Sequence, residues 1–427
     1  MTAATQPLSP APSVEAALRR EPMRLKVPVA SLLATLLTLV MAATAHGETI
    51  FRISTSADVL QVTNPVLPAR PTLLVLGLAA VGLTVVAFSR ARARRPVPTW
   101  VGPAVGAVFV LAFLTWAGAG RTSVMPLVTI LSSTLALSVP LVFGGLAGVV
   151  GERSGTINIA IEGQLLAGAF LGAVVGSVTT HPWLGMVAAP LAGVMVALLL
   201  GLFGLRYRVN QIVVGVVLNV LVLGVTSFLF STVLSDDSDR LNSATRLPVL
   251  AVPLLSEIPL IGPVLFRQTI LIYLMYLAVA VLSFMLFRSR WGLRMRACGE
   301  HPKAADTVGI NVMRTRLNNL VLGGALAGLG GAFFTVGSGL AFTKDMSAGN
   351  GYIALAAMIL GAWRPLGTPY AALLFGFATS IGQTLAVIGS PIPANLILMI
   401  PYLVTVLAVA GFVGRVQAPA AEGVPYP

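Results

Sequence analysis

Long apolar runs constrain this chain most, because about 20 such residues in a row cross a lipid bilayer as a helix. The 427-residue sequence contains eleven runs of about that length, separated by short polar stretches. They lie at 27–45, 72–88, 100–118, 127–150, 157–178, 183–204, 211–230, 269–287, 317–340, 369–388 and 394–413. A shorter run at 352–362 is a short helix, half of a broken helix or a re-entrant segment. The sequence therefore predicts an all-α polytopic membrane protein with 11 or 12 transmembrane helices.

Charge supports the same class of protein. Only 10% of the residues are charged, whereas a soluble domain carries about 25%. The formal net charge of +13 would suggest nucleic acid in a soluble chain, but membrane proteins concentrate Lys and Arg in their cytoplasmic loops. With a cytoplasmic N-terminus and twelve crossings, most of the 27 basic residues fall on the cytoplasmic side. We therefore expect both termini to be cytoplasmic, with 352–362 counted as a crossing and no nucleic acid bound.

The first run raises the question of processing. It ends in Ala-Ala-Thr-Ala, which is similar to a signal-peptidase site, but 26 residues precede it, which is long for a signal peptide. This length favours an uncleaved helix.

Two glycine-rich runs are weakly similar to each other. Residues 144–151 read Gly-Gly-Leu-Ala-Gly-Val-Val-Gly, and residues 323–331 read Gly-Gly-Ala-Leu-Ala-Gly-Leu-Gly-Gly. In the expected topology they lie on helices of opposite direction, which predicts an inverted repeat within 127–413. Close helix packing through small residues is the alternative explanation.

Enzyme chemistry has few candidate residues. The three histidines lie in predicted loops, away from the single Cys298 and from paired carboxylates, so no zinc site is expected. No lysine stands in a Gly-x-x-x-x-Gly-Lys-Ser/Thr phosphate-binding loop. We expect no metal, no cofactor, no disulfide and no ATP hydrolysis by this chain itself.

One polar stretch lies between two predicted spans. Residues 151–164 carry Asn158, Glu162 and Gln164 beyond a turn, on a helix predicted to begin at 157. On that helix Asn158 and Glu162 are spaced i, i+4 and share a face. An ionisable group inside a span is costly unless it is paired or hydrated. The three side chains are therefore candidates to line a substrate path or to brace a helix break. Pairing of Glu162 with helix-end amides is the alternative.

A second polar stretch, 288–316, carries seven basic residues. Pro302 suits the first turn of a helix and Gly309 its end, which predicts a short extramembrane helix over 303–308. We expect this loop to contact a cytoplasmic partner. Its candidate contact residues are Gly299, Glu300, Pro302, Ala304, Ala305 and Gly309.

Three motifs resemble the permease subunits of bacterial ABC importers in the branched-chain amino acid, ribose and nucleoside branch, and most of all the nucleoside permeases that depend on a basic membrane protein. Residues 152–163, Glu-Arg-Ser-Gly-Thr-Ile-Asn-Ile-Ala-Ile-Glu-Gly, are similar to the group's Asn-Ile-Gly-x-Glu-Gly signature, with Ala160 in place of glycine. Residues 299–310 resemble its coupling helix, with His301 where asparagine is common. Residues 351–365 match a third pattern of the family.

The resemblance covers about 127–413. It implies a permease domain at 126–414, an N-terminal extension with three spans at 1–125 and a short cytoplasmic tail at 415–427. It implies a bacterial plasma-membrane location and import by alternating access. The implied partners are a separate ATPase at the coupling loop, a sister permease, an extracytoplasmic binding lipoprotein that meets loops such as 231–268 and 341–350, and membrane lipid.

The motif at 152–163 favours nucleosides as substrate, and simple sugars such as ribose are the alternative. A secondary transporter driven by protons or sodium is a third possibility, for which Glu162 is the clearest candidate residue. An intramembrane enzyme is disfavoured because no catalytic cluster lies within the predicted spans.

Overall fold

A computed structural model describes residues 25–54, 61–121, 123–388 and 418–426, with four isolated positions between 393 and 402. The described residues belong to two compact units. One takes in the described parts of Met1–Phe51 and Pro65–Met125, and the other those of Arg52–Asn64 and Pro126–Pro427. Within the described ranges ten helices are long and apolar enough to cross a membrane. The chain is thus an all-α multi-pass membrane protein, as predicted, and the predicted span at 394–413 lies outside the described residues.

The first unit contains three spanning helices and a small sheet. The helices are α1 (Lys26–Thr44), α2 (Ala69–Arg92) and α3 (Val101–Gly118). The strands are β1 (Glu48–Arg52), β2 (Val66–Pro68) and β3 (Met125–Pro126), in the order β2-β1-β3. Strands β1 and β2 are antiparallel, with Thr49 opposite Leu67.

Small residues form the helix contacts of this unit, whereas large apolar residues face outward. The buried positions of α2 recur every three or four residues, and most of them are small: Ala69, Leu73, Gly77, Ala80, Thr84, Ala87 and Ala91. Val75 and Leu78 on the same helix are 66% and 71% exposed. This pattern suits a bilayer, in which lipid solvates the large side chains and small residues let helices approach closely.

The second unit holds the remaining elements, in this order: α4 (Leu127–Arg153), α5 (Ile161–Val178), α6 (Pro182–Gly201), α7 (Gln211–Leu229), α8 (Ser238–Leu241), β4 (Val249–Ala251), β5 (Arg267–Thr269), α9 (Ile270–Arg288), α10 (Arg290–Glu300), α11 (Pro302–Thr307), α12 (Val312–Gly331), α13 (Asn350–Leu360) and α14 (Gly367–Ile388). Short π-helical turns extend α6, α7 and α12. Strands β4 and β5 pair antiparallel.

The two glycine-rich runs pack against each other on α4 and α12. A Cβ at Gly323 would lie 2.9 Å from the carbonyl oxygen of Ala147, and one at Gly330 would lie 2.8 Å from the Cβ of Phe143. Higher numbers on α12 therefore meet lower numbers on α4, so the helices run in opposite directions. Opposite direction is what the sequence predicts, while the inverted repeat itself stays a prediction.

Glycines also join α12 to α5 and α6. A Cβ at Gly328 would overlap the carbonyl oxygen of Ala189, and one at Gly168 would overlap the carbonyl oxygen of Gly328. A Cβ at Gly193 would overlap the carbonyl oxygen of Gly324. The three backbones are thus in direct contact, and no other residue type fits at these positions.

Three helices of the second unit differ from the sequence expectations. The helix predicted at 157–178 begins at Ile161, and residues 156–160 before it are not helical. The stretch 288–316 contains helix α10, which the sequence analysis missed, and α12 begins at Val312 rather than at 317. The predicted short helix is confirmed as α11, and Gly309 follows it with a φ of +83°.

Helix α13 is too short to cross a bilayer alone, and it runs alongside α4 in the same direction. A Cβ at Gly144 would lie 2.9 Å from Ala354, and one at Gly148 would lie 2.6 Å from Met358. After α13, the carbonyl oxygen of Trp363 accepts a hydrogen bond from Arg153 Nε at 3.0 Å. Helix α13 therefore ends at the same end of the unit as α4.

We predict that Gly328→Leu prevents correct assembly of the second unit, because the new side chain would enter the backbones of α5 and α6. Overpacking costs typically about 1–3 kcal/mol, and a backbone clash on two sides exceeds that range. Size-exclusion chromatography and thermal unfolding in detergent measure the effect. The control is Gly224→Leu on α7, where a Cβ meets nothing within 4 Å. Equal behaviour of the two variants would contradict the packing described above.

Candidate functional site

The chain folds back into the second unit between α4 and α5, and we call residues 156–160 the re-entrant segment. Gly155 makes the turn with a φ of +92°, a conformation that favours glycine. The amide of Thr156 then donates to the carbonyl oxygen of Gly151 at 3.1 Å. A Cβ at Gly215 on α7 would lie 3.0 Å from Ile159, so this glycine makes room for the segment. The turn thus sends a non-helical stretch back among the helices.

Asn158 and Gln164 form a closed amide pair. The side chains exchange two hydrogen bonds, Asn158 Nδ2 to Gln164 Oε1 at 3.0 Å and Gln164 Nε2 to Asn158 Oδ1 at 3.2 Å. Both residues are fully buried. The pair ties the re-entrant segment to the first turns of α5, which is the arrangement expected of residues that brace a helix break.

Side chains of α7 and α13 complete the polar contacts of the segment. Gln211 Oε1 accepts from the amide of Ile157 at 2.8 Å. Asn219 accepts from the amide of Gly163 at 2.8 Å and donates to the carbonyl oxygen of Ile159 at 2.9 Å. Asn219 also donates to the hydroxyl oxygen of Tyr352 at 3.2 Å.

The carboxylate of Glu162 binds the amino terminus of α13. Its Oε1 accepts from the amide of Gly349 at 2.8 Å, and its Oε2 accepts from the amide of Gly351 at 2.5 Å. The first amides of a helix lack intrahelical partners and carry partial positive charge, so an anion is stabilised there. A Cβ at Gly351 would lie 2.5 Å from the backbone of Glu162, so only glycine allows this approach.

Asn158 and Glu162 do not share a helix face, contrary to the sequence expectation. Asn158 precedes α5, and its amide turns to Gln164, whereas Glu162 turns to α13. The three predicted residues lie in one polar region but serve two separate contacts.

A cavity of about 570 Å³ lies among α4, α12, α13 and α14. Its walls carry the rings of Phe333, Phe334 and Phe375. Polar groups come from Asp345, Asn350, Thr379 and Gln383, among others. Such a combination of apolar walls and a few polar groups is typical of small-molecule sites.

The residues predicted for partner contact lie on α10 and α11, except Gly309, which follows α11. A Cβ at Gly299 would overlap the carbonyl oxygen of Arg153, so α10 packs directly on the end of α4. Ala305 is buried with Cys298 and Val312, whereas Ala304 and Glu300 are exposed. Burial raises the pKa of the Cys298 thiol. Val308, just beyond α11, is 75% exposed and gives this end an apolar surface.

Sequence reasoning missed Gln211, Asn219, Tyr352, Trp363 and Arg316. Asn219 and Gln211 carried a usable signal, since they are amide side chains in the otherwise apolar run 211–230. Trp363 stands in the third motif, but the sequence does not indicate its partner: its indole nitrogen donates to buried Glu152 at 2.5 Å. That contact forms only because α13 ends beside α4.

We predict that Glu162→Ala lowers the free energy of unfolding by about 3 kcal/mol, because two amides lose a charged acceptor and such hydrogen bonds are worth about 1.5–3 kcal/mol each. Glu162→Gln should cost about half as much, since one acceptor oxygen remains. Unfolding titrations in mixed micelles measure both. The exposed Glu257→Ala serves as control and should change stability by less than about 0.5 kcal/mol. A loss no larger for Glu162→Ala than for this control would remove the capping role.

The comparisons with known proteins fit this geometry. A family model described as branched-chain amino acid transport system, permease component, matches residues 130–409. The guanosine ABC transporter permease protein NupQ of Bacillus subtilis is 39% identical over 322 residues, which cover 71% of this chain and 98% of that protein. The nucleoside ABC transporter permease protein NupC of Lactococcus lactis is 38% identical over 311 residues, which cover 70% of this chain and 96% of that protein.

Another relative, of lower identity, is named as a sugar permease. The putative glucose ABC transporter permease protein TsgC13 of Haloferax volcanii is 34% identical over 256 residues, which cover 59% of this chain and 76% of that protein. No solved structure matches the chain. Because the family model covers more than half of the sequence, the chain belongs to the family of permease components of branched-chain amino acid transport systems.

Proposed function

We propose that the protein is the membrane-spanning permease subunit of an ATP-driven importer of nucleosides. Two relatives that are 39% and 38% identical to this chain are named as guanosine and nucleoside permeases, and they match it over nearly their whole length. ATP is hydrolysed by a separate subunit, and the permease moves its substrate by alternating access. The relatives' names carry this proposal most directly.

The cavity supports a nucleoside as substrate. Its volume of about 570 Å³ lies within the range of small-molecule sites, about 300–1,000 Å³. Phe333 and Phe334 offer ring faces on which a base can stack, and Asn350 and Gln383 offer amide groups for its polar edge. A nucleoside presents both an aromatic face and several hydroxyl groups, so it matches both kinds of wall.

The charge around the cavity favours a neutral substrate. A free helix amino terminus attracts anions, but the amides of Gly349 and Gly351 are already bound by Glu162. Asp345 adds a carboxylate to the cavity wall. An anionic substrate would thus meet a neutralised helix end and a negative side chain, whereas a nucleoside meets no repulsion.

The contact with the ATPase is assigned to α11. Exposed Ala304 on α11 and Val308 just beyond it form a small apolar surface beside basic residues of α10 and α12. Arg153 contacts both Gly299 and Trp363. The polar stretches that carry these residues, which their basic charge assigns to the cytoplasm, therefore lie at one end of the second unit. We place this end in the cytoplasm of a bacterial plasma membrane, together with the C-terminal residues.

The assembly includes further subunits. Resemblance to nucleoside systems, which pair two different permeases, supports a sister permease rather than a second copy of this chain. An extracytoplasmic binding lipoprotein delivers the substrate to loops such as 231–268 and 341–350. Residues 1–125 form an N-terminal extension to the permease domain at 126–414.

Simple sugars are the second candidate substrates, which the glucose name of the Haloferax relative favours. Coupling to protons or sodium through Glu162 is disfavoured, because its carboxylate is occupied by two amides of α13.

The uptake of labelled guanosine tests the substrate. Membrane vesicles with the complete transporter should accumulate guanosine only with ATP, and unlabelled nucleosides should compete while ribose and glucose do not. Phe334→Leu should lower guanosine uptake about fivefold or more, since base stacking on an aromatic ring is worth about 1–3 kcal/mol. Phe284→Leu on the exposed face of α9 is the matched control. Competition by ribose or glucose instead would favour the sugar alternative, and uptake that survives without ATP would overturn both.

We predict that Val308→Asp abolishes binding of the ATPase subunit while the permease still inserts and folds. A charge at the centre of an apolar contact remains desolvated without a partner, which weakens the complex by several kcal/mol. Co-purification with the ATPase measures the effect. Leu254→Asp, at a residue that is 81% exposed in the 231–268 loop, is the control. Normal co-purification of Val308→Asp would place the ATPase contact elsewhere.

A further inference from the structure

The last described residues of the chain, 418–426, pack against the end of the second unit that carries α10 and α11. The amide of Ala421 donates to the carbonyl oxygen of Gly299 at 2.8 Å, and the amide of Gly423 donates to the carbonyl oxygen of Gly155 at 3.2 Å. Ala421 is 7% exposed, whereas its neighbour Ala420 is exposed. Backbone hydrogen bonds thus hold this segment along its length.

Arg316 is the centre of the contact. It is among the largest fully buried side chains of the described residues, at 1% exposed. Its Nη1 donates to the carbonyl oxygen of Val424 at 2.7 Å, and its Nη2 donates to those of Ala421 at 3.3 Å and Cys298 at 3.5 Å. Most acceptors of this buried cation therefore come from the tail. A buried charge that loses its partners is strongly destabilising, so Arg316 depends on the tail carbonyls that accept from its two Nη atoms.

The segment connects elements that belong to both functional regions. On one side, Tyr426 donates its hydroxyl to Asp306 Oδ2 on α11 at 2.9 Å. On the other, a Cβ at Gly423 would lie 2.6 Å from Ile157 in the re-entrant segment, and Gly423 adopts a φ of +71°. The tail therefore contacts the helix assigned to the ATPase and the segment that leads to Asn158 and Glu162.

Two carboxyl groups lie where the tail packs on the second unit. The side chain of Glu422 lies beside that of buried Glu152. Burial raises the pKa of the Glu422 carboxyl. The nearby indole of Trp363 also donates to Glu152. The tail thus shares a polar contact with the ends of α4 and α13 as well.

We propose that residues 418–426 form a C-terminal strap that positions α11 relative to the re-entrant segment, so that a movement of α11 is transmitted to the polar region around Glu162. This proposal rests on the assignment of α11 as the ATPase contact. Without the strap, α11 would be held to the second unit mainly through Ala305 and its neighbours. Binding of the ATPase would then move α11 alone. With the strap seated, α10, α11 and the re-entrant segment move together.

Cysteine labelling tests whether the strap is seated. In a Cys298→Ala background, Ala421→Cys should react with a water-soluble maleimide about tenfold more slowly than Ala420→Cys, because a buried thiol reacts only after local opening. Adding Arg316→Gln should bring the two rates together, since the tail carbonyls lose their cationic donor. Equal labelling rates without Arg316→Gln, or unequal rates with it, would contradict the packing of residues 418–426 on the second unit. This result does not depend on the substrate or on the ATPase.

The ratio of guanosine imported to ATP hydrolysed tests the positioning role in the complete transporter. Tyr426→Phe removes only the hydroxyl bond to Asp306 and should lower this ratio about threefold, while ATP hydrolysis continues. Val424→Ala is the matched control, because only its carbonyl contacts Arg316 and its side chain is exposed. An unchanged ratio in Tyr426→Phe and after deletion of residues 419–427 would overturn the proposal. Absence of guanosine import in the unmodified transporter would instead refute the proposed function.

Discussion

The backbone of the re-entrant segment must find every hydrogen-bond partner inside the protein, and much of the second unit is arranged around this requirement. In a bilayer an unsatisfied backbone group costs several kcal/mol, so non-helical backbone occurs only where protein or a cavity surrounds it. The amide of Ile157 is bound by Gln211, and Asn219 serves both Ile159 and Gly163. The side-chain amides of Gln211 and Asn219 thus lie on an otherwise apolar helix and satisfy backbone groups of the neighbouring chain.

The same requirement explains Glu162. The first amides of α13 have no partner within the helix, and the Glu162 carboxylate accepts hydrogen bonds from two of them. The helix end in turn stabilises the ionised carboxylate, which would be costly alone. The break before α5 and the short helix α13 therefore depend on each other. Together they fix the amino terminus of α13 beside the cavity, which Asn350 lines, and transporters of other folds bind their substrates at such helix termini.

Sequence reasoning predicted these features in part. The ten described spans, the short helix α11 and the polar nature of 151–164 followed from hydropathy and from the positions of proline and glycine. The start of α5 at Ile161 did not, because an extended segment that is buried by α7 has the same apolar composition as a helix. The sequence did not predict α10, because a stretch with so many basic residues resembles a polar loop. The partners of Glu162 lie almost 190 positions away, and only the packed structure brings them together.

The end of α4 contacts α10, the turn after α13 and the tail. Arg153 supports α10 through its carbonyl oxygen and the turn after α13 through its guanidinium, and Gly155 holds the tail. The re-entrant segment starts immediately afterwards. A displacement of α10 or α11 can therefore reach Glu162 through these residues as well as through the tail. Glycines of α12 pack directly on α4 at Phe143 and Ala147, whereas the turn at 154–160 is non-helical and is held by individual hydrogen bonds. The turn at 154–160 thus joins the end of the second unit that carries α10 and α11 to the polar region around Glu162, which is the connection that the proposed coupling requires.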